Sequence, residues 1–409
     1  MTSSLSANTA VQPTCLAADP PWRMWAAAWI VTAVFILSNA STPLYVRWQA
    51  EIGFSSATLT IIFSAYILGL LLTLLVAGQL SDRFGRRPVL LPGLAAAILA
   101  CLLFLSAHSI AMLVGARFLS GVAVGVAVSA GMASIVDLGG AERRRQASLL
   151  ASVSMVLGAG LGPLLAGSLA LALEPPIAPI FTIELVILAS AALMAILLPL
   201  KRGANHADRS WRLTLPNVPR INLPHIASGI AVFGPGITAT SFVLSLGPSL
   251  LSRLLGVSNP LIAGGMACAM FLAATGVQFL IKRRSVWTIL LAGAAATVLS
   301  MAGVSLAVVT SNIALLIVAA LLAGSGQGLG QLGGLTLIGL HVSADRRAEA
   351  NAVLNIGGYI PAGLMPIATG VVIDRAGLSI GATGFAAMLA IAAIVGGFVV
   401  SKTADRPKP

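Results

Sequence analysis

The chain has 409 residues, 58% of them hydrophobic and only 9% charged, and its formal net charge is +12. A soluble globular domain carries roughly 25% charged residues, so this sequence has too little polar surface for a soluble particle and needs lipid around it. The basic residues sit in short runs between long apolar stretches, which fits orientation in a membrane and not binding of nucleic acid.

A helix needs about 20 apolar residues to cross the hydrocarbon, where every backbone polar group must be bonded internally. Residues 1–23 form a small, polar N-terminal tail, without the basic segment and apolar run of a cleavable signal. Six spans are then predicted at 24–45, 56–80, 89–107, 110–136, 147–171 and 178–200, which together make an N-terminal bundle over 24–200. Residues 201–223 hold five of the 24 Lys+Arg together with Pro216 and Pro219, and read as a central loop. Six further spans, at 224–250, 260–281, 287–309, 313–341, 351–373 and 380–400, make a C-terminal bundle over 224–400, and 401–409 is the tail. The expected fold is therefore all-α and integral to the membrane, with twelve helices.

Twelve crossings put both termini on one side. The loops and tails of that side carry 20 basic residues, the opposite side carries Arg47, Arg253 and Arg375, and Arg117 falls inside a span. The positive-inside bias places both termini in the cytoplasm of a cell that keeps the protein in its inner or plasma membrane.

The chain also matches itself. At a shift of 203 residues, Ala141-Glu142-Arg143-Arg144 aligns with Ala344-Asp345-Arg346-Arg347, Pro163 with Pro366, and Gly167 with Gly370. Gly121, Gly125 and Gly131 align with Gly324, Gly328 and Gly334 at the same offset. Two pseudo-symmetric six-helix bundles follow, an arrangement that places a substrate site near mid-membrane between the repeats.

The loop between spans two and three reads Gly78-Gln79-Leu80-Ser81-Asp82-Arg83-Phe84-Gly85-Arg86-Arg87-Pro88. It resembles the signature loop G-x-L-x-D-R-x-G-R-R of the major facilitator superfamily, with every fixed position present. Gly78 would allow close helix approach, and Asp82 lies near a helix end where it can accept free backbone N–H groups. Arg86 can pair with an acid on a neighbouring helix, for which Asp137 at the end of span four is the nearest candidate. The resemblance implies a latch on the cytoplasmic side, with Asp82 meeting the start of span eleven near Asn351. In the second half, Lys282-Arg283-Arg284 lacks the acid and the glycines, so any latch is asymmetric.

Span four carries Arg117-Phe118-Leu119-Ser120-Gly121. An arginine at a helix centre costs about 2.5 kcal/mol or more on insertion scales, so Arg117 needs a partner or must snorkel to the interface. The segment resembles the family's span-four R-x-x-x-G, linked in relatives to proton transfer. Span five carries Gly158, Gly162, Pro163 and Gly167, a kink with a close-packing face. This segment resembles part of the family's antiporter motif, G-P-x-x-G-G, with Ala166-Gly167 in place of the final pair.

By the same resemblance, spans one, four, seven and ten line the central cavity. Candidate substrate groups are Asn39, Thr42 and Tyr45 in span one, Thr238 and Ser241 in span seven, and Gln327 and Gln331, four apart on one face of span ten. Hydroxyls and amides also bond helix to helix. Glu184, in span six, is the one acid well inside a span and is a second coupling candidate. It lies only about six residues from the outer face, so snorkelling or interhelical bonding also fits. His108, His225 and His341 lie near span ends as single interfacial residues. Cys15, Cys101 and Cys268 are far apart and form no metal or disulfide framework.

No cluster of catalytic residues, metal-ligand set or phosphate-binding loop occurs in the sequence, so no enzyme activity, metal or cofactor is expected. The expected function is secondary transport, with proton-coupled efflux of a small amphipathic molecule or drug by alternating access. Proton-coupled uptake of a sugar or organic anion is the alternative, and a non-transporting membrane sensor is the alternative of another class. The expected partners are a small-molecule substrate, protons and the lipid bilayer, with the chain working as a monomer.

Overall fold

The computed structural model describes residues 20–140, 142–200, 220–254, 256–281, 283–343 and 346–404. Most of the N-terminal tail, the central loop and the end of the C-terminal tail, along with Cys15 and Lys282, lie outside the described residues. So does the side chain of Asp82.

Among the described residues, twelve helical spans are long and apolar enough to cross a membrane: span 1 at Pro21–Ile52, span 2 at Ser56–Ser81, span 3 at Arg87–Leu105, span 4 at Ile110–Gly139, span 5 at Arg144–Ala172 and span 6 at Ile177–Leu197. In the second half come span 7 at Leu223–Arg253, span 8 at Pro260–Ile281, span 9 at Val286–Thr310, span 10 at Ile313–His341, span 11 at Glu349–Ala376 and span 12 at Leu378–Ala404. The protein is an all-helical, multi-pass membrane protein.

Span 1 runs seven residues past its expected end at 45. Pro43 breaks it into a short 3-10 turn, Thr42–Leu44, after which the helix resumes over Tyr45–Ile52. The extension is held by Trp48, whose buried ring stacks on Phe104 at 5.8 Å and on Phe181 at 6.1 Å. Its other face carries Arg47, which pairs with Glu51 at 2.7 Å and reaches Glu174 at 2.9 Å. Gly53 ends the helix with a φ of 78°, a conformation favourable to glycine.

The packing of the first half is repeated in the second. Spans 1 and 5, 2 and 4, 3 and 4, and 3 and 6 pack together, and so do 7 and 11, 8 and 10, 9 and 10, and 9 and 12. The glycines of the internal match explain this at atomic level. A Cβ on Gly121 would collide with the carbonyl oxygen of Tyr66 in span 2, and one on Gly324 with that of Met270 in span 8. Helices in lipid associate by close van der Waals contact, which small residues permit.

The halves meet along two seams related by the same repeat: span 5 against span 8, and span 11 against span 2. A Cβ on Gly167 would stand 2.5 Å from the oxygen of Pro260, and one on Gly370 would stand 2.8 Å from the oxygen of Ser56. The Ser64 hydroxyl donates to the carbonyl of Gly363 across the second seam at 2.7 Å. These contacts lie toward the end of the bundle opposite the termini, the far end. Toward the termini end, Leu149, Val153 and Leu157 of span 5 and Leu272 and Phe279 of span 8 are exposed.

Candidate functional site: a buried arginine cage and the seams around it

The loop at the termini end is built on the last turn of span 2. Gly85 closes that helix with φ 96°, and its amide donates to Ser81 at 3.1 Å. The turn aims Arg86 back at the bundle, where Nε donates to Asp137 of span 4 at 3.1 Å and Nη1 to the Ser81 hydroxyl at 2.8 Å. Arg87 donates to the carbonyl of Ala195 in span 6 at 3.4 Å, and Arg83 lies 5.5 Å from the ring of Phe84. The loop thus ties spans 2, 4 and 6 of one half together. Gly78 does not serve close approach in this conformation, because nothing lies within 4 Å of where its Cβ would stand. Near the start of span 11, the Oδ1 of Asn351 is buried without a hydrogen-bond partner.

Arg117 does not snorkel. It is 1% exposed, and Nη1 donates to the carbonyl of Ser38 in span 1. The guanidinium lies 5.2 Å from the ring of Tyr45, 5.1 Å from Phe63 and 5.6 Å from Tyr66. Three aromatic faces provide a cation with favourable quadrupole contact where water is excluded. Its Nε and Nη2 have no hydrogen-bond partner. Arg117 and Tyr45 stand out in the sequence, whereas Phe63 and Tyr66 carry no signal there beyond their i, i+3 spacing in span 2.

Around this cage, Asn39 donates to the Ser38 hydroxyl at 3.0 Å, and Ser41 donates to the Tyr45 hydroxyl at 3.5 Å. Thr42 is buried with an unpartnered hydroxyl. In the other half, the Thr238 hydroxyl returns to the carbonyl of Gly234 at 2.7 Å, and Ser241 is buried. Gly236 brings span 7 against the backbone of Gln327, where a Cβ would stand 2.8 Å from its nitrogen, and Gln327 Oε1 is buried without a partner. Gln331 is half-buried one turn further along span 10. The candidate substrate groups Asn39, Thr42 and Tyr45 thus lie on span 1 beside the coupling candidate Arg117, while Thr238 and Ser241 lie on span 7 and Gln327 and Gln331 on span 10, two helices that pack together.

Span 5 presents two glycine faces. Gly158 and Gly162 press on span 1, where a Cβ on Gly158 would lie 2.5 Å from the oxygen of Thr32. Gly160 and Gly167 face span 8, and the carbonyl of Pro163 meets Gly264 there. A single helix thereby joins the interior of its own half to the seam.

Glu184 is not at an interface either. It is fully buried, and neither carboxylate oxygen has a hydrogen-bond partner. It lies one turn beyond Phe181, whose carbonyl accepts from the Cys101 thiol at 3.2 Å, on a helix that packs against spans 1 and 3. The expectation of single interfacial histidines fails for two of the three, since His225 of span 7 and His341 of span 10 stack with ring centroids 3.7 Å apart. Cys101 and Cys268 are free and buried.

Comparison with known proteins agrees with this architecture. The Escherichia coli multidrug resistance protein MdtL is 32% identical over 130 residues, which is 31% of this chain and 33% of the relative, so the match spans about a third of either protein. Among solved structures, the POT family transporter PepTSo superposes with a TM-score of 0.76 at 13% identity, covering 95% of this chain and 99% of that one. A bacterial homologue of the human lysosomal transporter Spinster, in an inward-facing conformation, gives a TM-score of 0.72 at 16% identity, covering 95% and 98%. The nucleoside transporter NupG gives 0.69 at 12%, covering 93% and 99%. These likenesses establish the fold. The sequence profile of the Major Facilitator Superfamily matches residues 24–366, from span 1 into span 11, and the chain is a member of that family of transporters and not an enzyme.

Proposed function

We propose that the protein exports a small amphipathic molecule or drug across the inner or plasma membrane, driven by protons moving the other way, and that it does so as a monomer with both termini in the cytoplasm. The observation that carries this reading is the buried, partly unbonded Arg117 with its aromatic cage beside the groups of span 1. An intramembrane ionisable group is costly and is kept where charge must be handled. Glu184 is a second such group in the same half, and proton release to a transient water path would give that half two charge states.

Rings and small hydroxyls around one cation suit a partner with apolar surface and few polar groups. Efflux is further supported by the multidrug resistance for which MdtL is named, across the third of the chain that matches, and by the glycines Gly158, Gly162 and Gly167 around Pro163 on span 5. With the far end closed in this conformation and the termini inside, the chain would face the cytoplasm, ready to load a substrate for export. The loop of Asp82, Arg86 and Asp137 would then latch the cytoplasmic side after the halves rock.

The test is counter-transport in proteoliposomes with an imposed pH gradient, screened with lipophilic cations and neutral amphiphiles. Gradient-driven movement of such a compound against the proton flux is expected. Movement in the same direction as the protons, strongest for sugars or organic anions, would replace this reading with uptake.

A further inference from the structure

The far end of the seam between spans 2 and 11 holds a carboxylate placed to work as a closure. Asp374, in the last turn of span 11, accepts the backbone amide of Ser56 at 2.9 Å on Oδ1 and that of Ala57 at 3.0 Å on Oδ2. Those are the first two amides of the 29-residue helix Ser56–Phe84. They belong to the group of N-terminal amides that an α-helix cannot satisfy internally, at the positive end of its dipole. The helix's own cap, Ser55, accepts the amide of Thr58 at 3.3 Å and leaves the amides of Ser56 and Ala57 to the aspartate. One half of the protein therefore supplies the side chain that completes a helix start in the other half.

The surroundings fix the aspartate there. Gly370, one turn earlier on span 11, lets the two backbones touch, with its would-be Cβ 2.8 Å from both the Ser56 oxygen and the Ala57 Cα. Gly377 then ends span 11 with a φ of 93°, its amide donating to the carbonyl of Ile373 at 2.9 Å, which stops the helix just past Asp374. The related seam does without this device. The position that matches Asp374 in the repeat is Leu171, which cannot accept a hydrogen bond, and the position that matches Ser56 is Asn259. Asn259 caps its own helix, span 8, by accepting the amide of Leu261 at 2.9 Å.

We propose that Asp374 is a reversible latch of the far end: it holds the closed conformation by capping span 2 from the opposite half, and its two bonds must break whenever the halves rock open there. The bonds are only partly buried, so water can replace them on opening. Such a latch biases the equilibrium between conformations without freezing it. It is the reverse of the arrangement expected at the termini end, where Asp82 closes span 2 and the start of span 11 lies opposite. The same two helices would then carry an acid at each end of their seam. The inference depends on alternation between two conformations and on no particular substrate or coupling ion.

The experiment measures the conformational equilibrium directly. Spin labels on Leu173→Cys and Ser258→Cys, in the full chain with native cysteines replaced by alanine, report the separation of the halves at the far end in lipid nanodiscs by pulsed dipolar spectroscopy. Asp374→Asn should raise the population of the longer distance roughly threefold to tenfold, as expected for loss of one charged cap. Ser56→Pro removes one of the donors at the first helical position, where proline is tolerated. The extended Ser55, at φ −76° and ψ 171°, also suits a following proline. This variant should shift the population in the same direction, and Asp374→Glu should shift it less than Asp374→Asn. An unchanged distribution in Asp374→Asn would overturn the latch, and so would a shift in Asp374→Asn that Ser56→Pro fails to reproduce.

Discussion

Gly121 of span 4 lies against the backbone carbonyl of Tyr66 in span 2, and 203 residues later Gly324 of span 10 lies against that of Met270 in span 8. Neither site has room for one more carbon, and in each case the obstacle is main chain, which cannot rotate away. The repeat in the sequence is therefore a repeat of two helix crossings, each made as close as backbones can approach.

Replacing either glycine by alanine should force the pair of spans apart and lower stability by about 1–3 kcal/mol, the usual effect of overfilling a packed site. Thermal unfolding of the purified protein in detergent would show it as a reduced Tm for Gly121→Ala and for Gly324→Ala. Gly78→Ala is the contrast, because its surroundings are open, and it should keep or slightly raise the Tm since alanine favours helix. Reduced transport by a fully stable Gly78→Ala protein would place the close approach of that helix in the other conformation.

Most of the fold could be read from the sequence because the bilayer demands it: long apolar runs, basic loops on one side and glycines at a fixed offset each follow from a physical constraint. What could not be read is the direction in which each helix faces. Glu184 was read as near an interface by counting residues to the end of span 6, yet it points inward, and hydropathy alone carries no such angular information. Phe63 and Tyr66 are indistinguishable in sequence from lipid-facing aromatics until Arg117 is seen between them. His225 and His341 lie on different spans, and only the packing of span 7 on span 10 makes them a pair. Asp374 falls one residue past the predicted end of span eleven, and its value as a cap depends on the start of a helix in the other half.

Arg86 and Asp137 form a partly exposed pair, with side-chain accessibilities of 15% and 28%. Such a pair contributes up to about 1 kcal/mol to stability, so Asp137→Asn should leave the protein folded, with Arg86 still held by Ser81. If the pair positions the loop for the latch, Arg86→Asp and Asp137→Arg should each reduce transport severalfold, and the double exchange should recover part of it. Initial rates of substrate counter-flow in proteoliposomes would measure this, and a double variant no better than the worse single one would count against a positioning role.

Arg117 combines a hydrogen bond to the carbonyl of Ser38 with three ring faces. Lysine preserves the charge but cannot spread it across three rings with a planar group. Arg117→Lys should therefore bind substrate yet transport slowly, and Arg117→Ala should lose the response of transport to an imposed pH gradient. Separating substrate binding from gradient-driven flux distinguishes coupling from packing. If flux in Arg117→Ala still follows the gradient as in the unaltered protein, the arginine is structural.

Glu184 provides the complementary test. A buried carboxylate whose oxygens have no partner receives no compensation for losing water, so nothing in its surroundings stabilises the fold through its charge. Glu184→Gln keeps the shape and a hydrogen-bonding side chain but cannot exchange a proton. Its Tm should match or exceed that of the unaltered chain, because the exchange breaks no hydrogen bond or ion pair of the carboxyl group. Its transport should separate from the proton gradient, with exchange of substrate down its own gradient continuing and uphill movement lost. Glu184→Leu would keep the apolar volume and give the same split if proton exchange is the function. Uphill transport surviving in Glu184→Gln would instead assign the acid to the packing of span 6 against spans 1 and 3, and would leave Arg117 as the coupling group.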